Sequence, residues 1–329
     1  MTLEFVSALE EVPLSEWEAL HAAQARPSPF LSPRFLLPWW RAFGRGCEVR
    51  VARLAPRESP AEALLFLCRC GTGGWTFLGG DQVADYLDAL VAEGREERFW
   101  REFLTRGLPA LGGGPLRLPG LVDGTPALSV LPRLCGEAGI PCSVSEMDRA
   151  PYIGLPGSFE AYLEGLGKKA RHELRRKMRR AAEMLPGLSL RVTRSAEELP
   201  RDIESFIGLH RRSHPDKARF MDDRMASFFR EVAERFLAAG DLRLAFLSSG
   251  GRDVASVFQF RAGRSLLLYN SGYDPAHRAA NPGLVLIARC IEEAVAGGVP
   301  EYDFLRGTER YKYDLGGVDR AVYVLTVSR

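Results

Sequence analysis

A polar loop that runs directly into an apolar helix is the part of this sequence best suited to bind a charged ligand. Arg278, Asn281 and Gly283 are separated by steps of three and two residues. The first N–H groups of a helix have no partner inside the helix, and the helix dipole adds partial positive charge there. The N–H groups of Gly283, Leu284 and Val285 are therefore predicted to bind phosphate.

Each residue ahead of this helix has a physical reason to be there. Asn281 tolerates the left-handed backbone conformation better than most residues, and the fixed φ of Pro282 favours the start of a helix. Gly283 allows a ligand to approach the backbone, and Arg278 adds a cation. Asn-Pro-Gly is also a common way to begin a helix that binds nothing. The spacing alone leaves both interpretations open.

Residues 168–180, KKARHELRRKMRR, form an intensely basic segment. They hold eight Lys or Arg and one acid, Glu173, whereas the whole chain has a net charge of +2. The remainder of the chain is therefore mildly acidic. One helical face is expected to carry the cations that recur at steps of three and four residues: Lys168, Arg171, Arg175 and Arg179.

This basic face has three interpretations, which are a solvated surface, one edge of a site for a phosphate-bearing acceptor, and a surface for tRNA. Eight cations beside one acid repel one another, which a polyanionic contact would relieve. The segment has no interleaved aromatic residues that could stack on RNA bases, and the remaining chain is acidic. We rank the solvated surface first, the phosphate-bearing acceptor second and tRNA third, and Arg171 and Arg175 are the residues predicted to bind the acceptor.

The first half of the chain is expected to mix helices and strands. PFLSPRFLLPWWRAFG is predicted to be a helix, with Ser32 as its cap and Pro33 in its first turn. CEVRVARLAP, AEALLFLCRC and GGWTFLGG are predicted to be strands. The stretch from 85 to 111 has apolar residues every three or four positions and is predicted to be helical. Asp81 would cap that helix or, together with Tyr86, line a cleft between domains.

The second half begins near residue 150 with a long helix that Ser158 can cap and that Gly165 and Gly167 interrupt. One apolar stripe is predicted along it: Leu163, Leu166, Ala170, Leu174, Met178, Ala181 and Leu185. Further helices follow, and then three strands, LRLAFLSS, DVASVFQFRAG and SLLLYNSGYD. The loop described first leads to a helix over 284–296, the strand EYDFLRG, a short element and a last strand, AVYVLTVS.

The cysteines, the histidines and the apolar runs bear on the class of protein. The six cysteines form no CxxC pair and the five histidines have no metal-ligand spacing, so we expect reduced thiols and no metal. No apolar run reaches about 18 residues, which predicts no membrane span. The N-terminus has no signal-peptide pattern. We expect a cytoplasmic protein.

The order of strand, loop, helix and strand resembles the coenzyme-A-binding core of the GNAT N-acyltransferase superfamily. Its loop reads Arg/Gln-x-x-Gly-x-Gly/Ala, and Arg278, Asn281 and Gly283 have the same spacing, with Asn in place of the first glycine. Four further segments are similar to the CelD-type acetyltransferase-like family, which is related to the FemABX peptidyltransferases: PFLSPRFLLPWWRAFG, DYLDALV, FEAYLEGLGKKARHELRR and YDFLRGTERYK.

This resemblance implies an α/β (α+β) fold with two tandem GNAT-like domains, each a mixed, largely antiparallel sheet flanked by helices. Residues 1–150 would be a domain with a degenerate cofactor site, and residues 151–329 a domain with the acyl-CoA loop. The implied cofactor is acetyl-CoA, or coenzyme A after transfer. The implied acceptor is an amine-bearing small molecule or cell-envelope component, which can carry phosphate. DNA is not expected as a partner.

Acyl transfer from a thioester to an amine requires a close amine, a polarised carbonyl and a proton for the leaving thiolate. GNAT-like folds often supply that proton from a tyrosine near the last short helix, which implies Tyr311 here, with Tyr313 as the second candidate. Asp303 is the candidate base, although a carboxylate on a central strand needs a partner. Arg306 or Lys312 could pair with it or contact the acceptor.

Three functions remain open at this stage. The first is an acyl-CoA-dependent N-acyltransferase, the second is a FemABX-like transferase that uses aminoacyl-tRNA, and the third is a non-catalytic binding module. Free N–H groups beside an open ligand cleft would favour the acyl-CoA-dependent enzyme. A continuous basic surface would favour the tRNA-dependent transferase, and a blocked cleft would favour the binding module.

Overall fold

The computed structural model describes residues 2–56 and 59–328. Contacts divide the chain into two compact units: unit 1 is Met1–Arg149 with Arg320–Arg329, and unit 2 is Ala150–Asp319. The strands of the described residues are β1 (Thr2–Val6), β2 (Cys47–Ala55), β3 (Ala63–Cys70), β4 (Trp75–Phe77), β5 (Leu90–Val91), β6 (Leu116–Val122), β7 (Cys142–Gly154), β8 (Ser189–Val192), β9 (Leu242–Ser249), β10 (Arg252–Ala262), β11 (Ser265–Tyr273), β12 (Glu301–Asp303) and β13 (Val318–Val327).

The helices of the same residues are α1 (Leu14–Ala22), α2 (Pro33–Phe43), α3 (Glu96–Glu102), α4 (Leu108–Ala110), α5 (Pro126–Glu137), α6 (Phe159–Gly165), α7 (Lys168–Met184), α8 (Leu199–Ser213), α9 (Pro215–Phe220), α10 (Asp223–Ala238), α11 (Pro282–Ala296) and α12 (Arg310–Asp314). Three 3-10 turns span Leu9–Glu11, Pro29–Leu31 and Pro275–Ala280, and a π-helical turn spans Phe103–Gly107. Within the described residues, no helix is both long and apolar enough to cross a bilayer.

Unit 1 is built on the strand order β1-β2-β3-β4-β6-β13, with β5 paired to β3. The pairs along this order are antiparallel except β4 with β6, which run parallel. Its core is rich in large aromatic side chains that are almost fully buried: Trp17, Phe30, Phe35, Phe66, Trp75, Phe77, Phe99, Trp100 and Phe103. The C-terminal strand β13 completes this sheet beside β6.

Unit 2 is built on the strand order β8-β9-β10-β11-β12-β7. Here too the pairs are antiparallel except one, which is the parallel pair of β11 and β12. Both units therefore follow the same succession of antiparallel and parallel pairs. The predicted fold class, a mixed and largely antiparallel sheet flanked by helices, is confirmed.

The long helix predicted at the start of unit 2 is present and is broken where the glycines predicted a break. The Ser158 hydroxyl accepts from the Ala161 N–H (3.1 Å) and caps α6, which ends at Gly165 before α7 begins at Lys168. All seven residues of the predicted apolar stripe belong to or pack against the unit 2 core. The three predicted strands from 242 to 273 and the helix near 284–296 are also confirmed.

The helix predicted over 85–111 is wrong in its first part. Residues 85–95 form an irregular segment with the short strand β5, and helix α3 begins only at Glu96. Leu90 and Val91 are buried because they pair with Leu64 and Ala63 of β3, and Gly94 turns the chain with φ 75°. Here, apolar residues at helical spacing lie in a strand and a loop instead of a helix.

The expectation of reduced thiols is wrong for one pair of cysteines. Cys47 and Cys70 form a disulfide, while Cys68, Cys135, Cys142 and Cys290 are free. The bonded cysteines lie directly opposite each other in the β2–β3 ladder, with Cα atoms 4.2 Å apart. Strand register therefore brings together two cysteines that are 23 residues apart in sequence.

Candidate functional site

The predicted phosphate-binding loop is a compact turn between β11 and α11. The Asp274 carboxylate accepts from the Ala276 N–H (3.0 Å) and starts the 3-10 turn, which Arg278 ends by accepting from the Asn281 N–H (3.1 Å). Asn281 has φ 51° and ψ 47°, which is the predicted left-handed conformation. This single residue reverses the chain so that α11 starts at once.

The start of α11 leaves two N–H groups without a partner. Val285 donates to the Asn281 carbonyl (3.1 Å), so the prediction that Val285 offers a free N–H is wrong, because intrahelical bonding has already begun there. Within the residues that the structure describes, the N–H groups of Gly283 and Leu284 donate to no backbone or side-chain acceptor. The first turn of α11 also contains no acidic residue.

Gly283 keeps the space in front of these N–H groups open. A Cβ at this position would meet only the Tyr273 ring, at 3.7 Å, which is an ordinary contact, and the φ of Gly283 is not positive. Neither the packing nor the backbone conformation therefore requires glycine. What glycine provides is free space beside the first turn of the helix. Arg278, four residues before Pro282, is exposed.

The parallel strands β11 and β12 separate close to this helix. They pair only from Ser265 with Glu301 to Leu267 with Asp303. β11 continues to Tyr273 without β12, and the chain beyond Asp303 turns away into a loop. Helix α11 connects the two strands and packs against β11 in the same core. The split therefore opens beside the start of α11.

Asp303 ends β12 and is 2% exposed. Its carboxylate accepts from the Leu305 N–H (2.7 Å), and Leu305 has a left-handed φ of 57°. The predicted strand EYDFLRG is thus shortened to three residues, because the chain bends at Leu305. Asp303 holds this bend.

Lys312 is a buried lysine that organises the next residues. It is 2% exposed, and its Nζ donates to the carbonyls of Leu305 (3.2 Å), Arg306 (2.6 Å) and Gly307 (3.1 Å). The Glu309 carboxylate lies 2.9 Å from the same Nζ. The ammonium therefore faces the loop that follows β12.

Tyr311 follows on α12 and packs edge-on against Phe304, with ring centroids 6.2 Å apart. Burial raises the pKa of the Tyr311 hydroxyl above its usual range, and the nearby Glu309 carboxylate raises it further. Tyr311 therefore keeps its proton at neutral pH.

The basic helix α7 contacts both α11 and the 3-10 turn Pro275–Ala280. Several of its cations are engaged: Arg175 pairs with Glu160, Arg176 with Glu173 (2.7 Å), and Arg171 donates to the Glu164 carbonyl (3.3 Å). Three other cations form no hydrogen bond or ion pair with any residue that the structure describes: Lys168, Lys169 and Arg179. The predicted stripe is therefore divided into paired and unpaired cations.

The remaining predicted residues lie in two different units. Asp81 does not cap a helix; it follows β4 and pairs with Arg117 (2.9 Å) in unit 1. Tyr86 is buried in the same unit and packs edge-on against Phe30, with centroids 6.3 Å apart. Arg306 belongs to unit 2 and is half-buried. Unit 2 thus brings together the loop, Asp303, Lys312 and Tyr311.

A polar cluster beside the free part of β11 has no counterpart among the sequence predictions. His210 Nε2 lies 3.0 Å from Asn270 Oδ1, and burial lowers the pKa of His210 to about 4. Lys217 Nζ donates to the Ser271 carbonyl (2.6 Å), and burial lowers the pKa of Lys217 as well. The sequence carries no signal for this cluster except the pair His210 and His214, which are four residues apart.

Two cavities of about 360 and 260 Å³ lie elsewhere in unit 2. The first is lined by residues of the C-terminal half of α11 and by β8, and the second by the β10–β11 turn and Gly298. Neither includes a residue of the loop, Asp303 or Tyr311. In the part of the chain that the structure describes, His, Cys, Asp and Glu form no group of three or more that could hold a metal.

A family model described as an acetyltransferase (GNAT) domain matches residues 168–313. The match begins at the first residue of α7 and ends in α12, so it contains the loop, Asp303, Tyr311 and Lys312. No curated protein sequence matches the chain.

Solved structures match over nearly the full length of the chain. FemX is 10% identical over 98% of this chain and 96% of its own, with a TM-score of 0.63. The C-terminal domain of a putative lysylphosphatidylglycerol synthetase from Agrobacterium fabrum is 11% identical over 96% and 91%, with a TM-score of 0.61. A tandem GNAT protein from the clavulanic acid biosynthesis pathway is 14% identical over 99% and 98%, with a TM-score of 0.50.

The chain has a GNAT fold. The resemblance found in the sequence, to GNAT proteins related to FemABX, is confirmed by the family match and by these structures. The matched segment lies within unit 2, where the predicted cofactor loop and Tyr311 also lie.

Proposed function

We propose that this GNAT protein is an acyl-CoA-dependent N-acyltransferase that transfers an acyl group, most simply acetyl, to an amine. The observation that carries the proposal is the start of α11. Two unbonded N–H groups, open space at Gly283 and the absence of acids combine there on a helix of 15 residues. A pyrophosphate fits this arrangement because the helix dipole and the N–H groups both favour negative charge.

Residues of unit 2 have the properties that acyl transfer requires for binding the cofactor and for the proton transfers. Coenzyme A would supply the acyl group as a thioester. Gly283 and Leu284 would bind the pyrophosphate through their N–H groups, with Arg278 as an additional cation. Tyr311 would protonate the leaving sulfur, because its raised pKa keeps the hydroxyl protonated. Asp303 would hold the loop after β12 and, in the base role, receive a proton from the attacking amine.

The acceptor is proposed to be an amine that lies beside α7 and the loop after β12. Arg171, Arg175 and Arg306 would contact its anionic groups, and Lys312 would act through the loop that it holds. A phosphate-bearing or cell-envelope acceptor is supported by the name of one structural neighbour, a putative lysylphosphatidylglycerol synthetase. The contribution of Asp81 and Tyr86 from unit 1 stays a prediction.

Calorimetric titration with coenzyme A and acetyl-CoA tests the proposal. Gly283→Val should weaken binding about 100-fold or more, because the side chain would fill the space that the pyrophosphate needs. Ala296→Val is the control, since it introduces the same side chain at the far end of α11, and should change Kd less than about twofold. Arg278→Ala should cost up to about fivefold, the scale of an exposed ionic contact. Equal Kd values for wild type and Gly283→Val would contradict the proposal.

A second function, aminoacyl-tRNA-dependent transfer as in the FemABX relatives, is favoured by one observation. Lys168, Lys169 and Arg179 have no partner among the described residues, and their helix contacts the loop. Filter binding of bulk tRNA across a salt series tests it, because phosphate contacts make binding salt-dependent. The variant with these three residues changed to Gln should lose tRNA binding if this function is correct.

The control for that experiment removes the same charge from unit 1 by changing Arg101, Arg106 and Arg133 to Gln. Tight tRNA binding at about 150 mM salt that only the α7 variant loses would favour the tRNA-dependent function. Weak binding that both variants reduce equally would favour acyl-CoA. Binding of acetyl-CoA without thiol release for any amine would favour a non-catalytic binding module.

A further inference from the structure

Lysine is rare in this chain, and its few lysines fall into two groups. Of the 44 Lys and Arg residues only five are lysines, which are Lys168, Lys169, Lys177, Lys217 and Lys312. The first three lie in α7, whereas the other two bind backbone carbonyls of β11 and of the loop after β12. Arginine stays protonated in proteins, but lysine can lose its proton. A lysine is therefore the side chain that can supply this arginine-rich protein with a neutral amine.

Lys312 and Lys217 use their ammonium groups differently. Lys312 Nζ donates to three carbonyls and lies 2.9 Å from the Glu309 carboxylate, so all three of its protons are engaged. Lys217 Nζ donates only to the Ser271 carbonyl (2.6 Å) and forms no ion pair with a described residue. Burial lowers the pKa of Lys217, and the Glu309 carboxylate opposes this shift only in part. Of the two, Lys217 is the amine that can become a nucleophile.

The packing of α8 on β11 brings Lys217 to this strand. A Cβ at Gly272 would lie 2.4 Å from the His210 backbone nitrogen, so the glycine allows α8 to lie directly on β11. Only His214 separates the end of α8 from the start of α9, which carries Lys217. The pKa of His210 is about 4, so this neighbour is neutral at pH 7 and adds no cation beside Lys217. The Lys217 side chain is half-buried as a result.

Ser271, the partner of Lys217, belongs to the part of β11 that β12 does not cover. Pairing of the two strands ends at Leu267 with Asp303. Beyond that point Tyr269 has no residue opposite it in β10, which is a bulge that bends β11. Lys217 therefore binds β11 where the strand has no neighbour on the side of β12.

This position lies between the cofactor loop and the closed end of the split. The Tyr273 ring is the group that faces Gly283 at the start of α11. Ser271 lies two residues before Tyr273, about 7 Å along the strand. A thioester that extends from Gly283 into the split would therefore pass Ser271 and the amine bound to it.

One carboxylate connects Lys217 with the proposed proton donor. Glu309 acts on the pKa of Lys217 and also raises that of Tyr311, so both groups lie within its electrostatic reach. The Glu309 side chain is 58% exposed. An amine, a carboxylate and a protonated hydroxyl are thus grouped in unit 2.

We propose that Lys217 is a self-acylation site, at which the protein transfers the acyl group of acyl-CoA to its own Nζ when no external amine is bound. This inference rests on the proposed function. Lys217 first releases one proton to solvent. The neutral nitrogen then attacks the thioester carbonyl carbon, a C–N bond forms, and the C–S bond breaks with its electron pair remaining on sulfur. Tyr311 gives the sulfur a proton, and the nitrogen gives one to Glu309.

The products are free coenzyme A and an amide at Lys217, and solvent restores the protons of Tyr311 and Glu309. An amide is not an activated acyl donor, so the group stays on Lys217 and does not pass on to an acceptor. Self-acylation is therefore a lasting modification of the protein and not a step of its turnover.

Labelling with acetyl-CoA that carries ¹³C in the acetyl group tests the proposal, because proteolysis and mass spectrometry can follow all five lysines. Lys217 should be labelled at least about 10-fold faster than the exposed Lys168 and Lys169, since a bound thioester is held beside it. The label should approach one per chain. Lys217→Arg should remove it and keep the positive charge, and Lys177→Arg is the matched control that should leave it unchanged.

Gly283→Val separates self-acylation from reaction with acetyl-CoA in solution. Below the Kd of acetyl-CoA it should slow labelling of Lys217 about 100-fold, in proportion to the lost binding. Labelling of Lys168 and Lys169 should not change, and Ala296→Val should behave as wild type. Equal labelling of Lys217 in wild type and Gly283→Val would overturn the inference.

A second readout needs no acyl transfer. Protein labelled with ¹³C at lysine Cε gives one NMR signal for each of the five lysines, and the signal absent from Lys217→Arg is that of Lys217. Coenzyme A should shift this signal, whereas those of Lys168 and Lys169 should stay in place. A Lys217 signal that does not respond to bound coenzyme A would contradict its place beside the thioester.

The results for coenzyme A separate this inference from the proposed function. If coenzyme A binds but Lys217 is labelled no faster than Lys168 and Lys169, the inference is overturned and the proposed function stands. If coenzyme A does not bind at all, both fail. A melting curve shows whether Lys217→Arg folds, and if it does not, the label pattern of the wild type and of Gly283→Val decides.

Discussion

The segment between β4 and β6 in unit 1 and the segment between β11 and β12 in unit 2 occupy the same place in their strand orders, yet their helices begin differently. In unit 2 a left-handed Asn281 leads directly into α11, whose first turn has no acid. In unit 1 the chain passes through an irregular stretch and β5 before α3, whose first turn holds Glu96 and Glu97.

Glu96 and Glu97 place two carboxylates in the first turn of α3, near the helix end where a phosphate would bind. Hydrogen bonds from Arg101 and Arg133 lower the pKa of Glu97, so this group is ionised at neutral pH. An ionised carboxylate satisfies the helix dipole and repels a second anion. Because the two strand orders match, any difference in phosphate binding between the units would come from the few residues at the start of each helix. The acidic first turn of α3 agrees with the degenerate cofactor site predicted for residues 1–150. That site stays a prediction.

The largest effect is expected at Tyr311, the proposed proton donor, which has no tyrosine counterpart in the segment that follows β6. β6 is followed by residues 123–137, which contain no tyrosine, whereas β12 is followed by Tyr311. Tyr311→Phe should lower the rate of thiol release from acetyl-CoA by about 100-fold, the scale of general acid catalysis. The Kd of coenzyme A should change less than about twofold.

The pH dependence provides the check on Tyr311. Because burial raises its pKa, the hydroxyl stays protonated as the pH rises through the usual range of tyrosine. The wild-type rate should therefore show no descending limb that is due to Tyr311 below about pH 10. A descending limb near neutral pH that is absent from Tyr311→Phe would contradict both its protonation state and its role.

The next effect comes from giving α11 the charge of α3. Leu284→Glu places a carboxylate in the first turn of α11 and should weaken coenzyme A binding by about 10- to 100-fold, because it competes for the N–H groups and repels phosphate. Leu284→Gln controls for the lost packing of the half-buried leucine and should cost much less. Equal Kd values for the Glu and Gln variants, measured by calorimetry, would contradict the claim that a carboxylate in the first turn opposes phosphate binding.

The disulfide distinguishes unit 1 from unit 2 in a third way. Cys47→Ser together with Cys70→Ser should lower the free energy of unfolding by about 2–3 kcal/mol, because the bridge closes a loop of 23 residues in the unfolded chain. Urea unfolding with and without dithiothreitol measures this. The double variant should not respond to dithiothreitol, and coenzyme A binding should be unchanged. A wild type whose stability is insensitive to the reductant would contradict the bridge.

The smallest effect is expected at Asn281. Asn281→Ala should lower the free energy of unfolding by about 1 kcal/mol, since a left-handed backbone costs most L-residues about 1–2 kcal/mol. Asn281→Gly should be close to neutral, because glycine adopts this conformation freely. Thermal unfolding of both variants measures the difference. An alanine variant as stable as the glycine variant would show that the φ of 51° is not required.

Features that depend on a few neighbouring residues were predicted from the sequence. Features that depend on contacts between distant segments were not. Ser158, the glycine break before Lys168 and the left-handed Asn281 are properties of a few neighbouring residues, and each is confirmed. The Cys47–Cys70 pairing depends on the register of β2 and β3, which no single segment encodes. The error at 85–95 arose because Leu87 and Leu90 have helical spacing but pack in an irregular segment and a strand.

The predictions for the site divide in the same way. The spacing of Arg278, Asn281 and Gly283 located the turn correctly, but the first intrahelical bond at Val285 depends on where the helix begins to one residue. The sequence assigned Lys312 to Asp303 or the acceptor because these are plausible ionic partners. Its carbonyl contacts depend on the left-handed Leu305, for which a leucine gives no signal.

Strand β13 has a consequence for how the protein is made. It completes the sheet of unit 1 beside β6, but it is separated from β6 in the chain by all of unit 2. A ribosome therefore delivers every residue of unit 2 before it delivers the partner that β6 requires. During synthesis β6 exposes an unpaired strand edge, which is a site for wrong pairing with other chains. Unit 2 can complete its own sheet earlier, so the half of the molecule that carries the proposed site is also the half that can mature first.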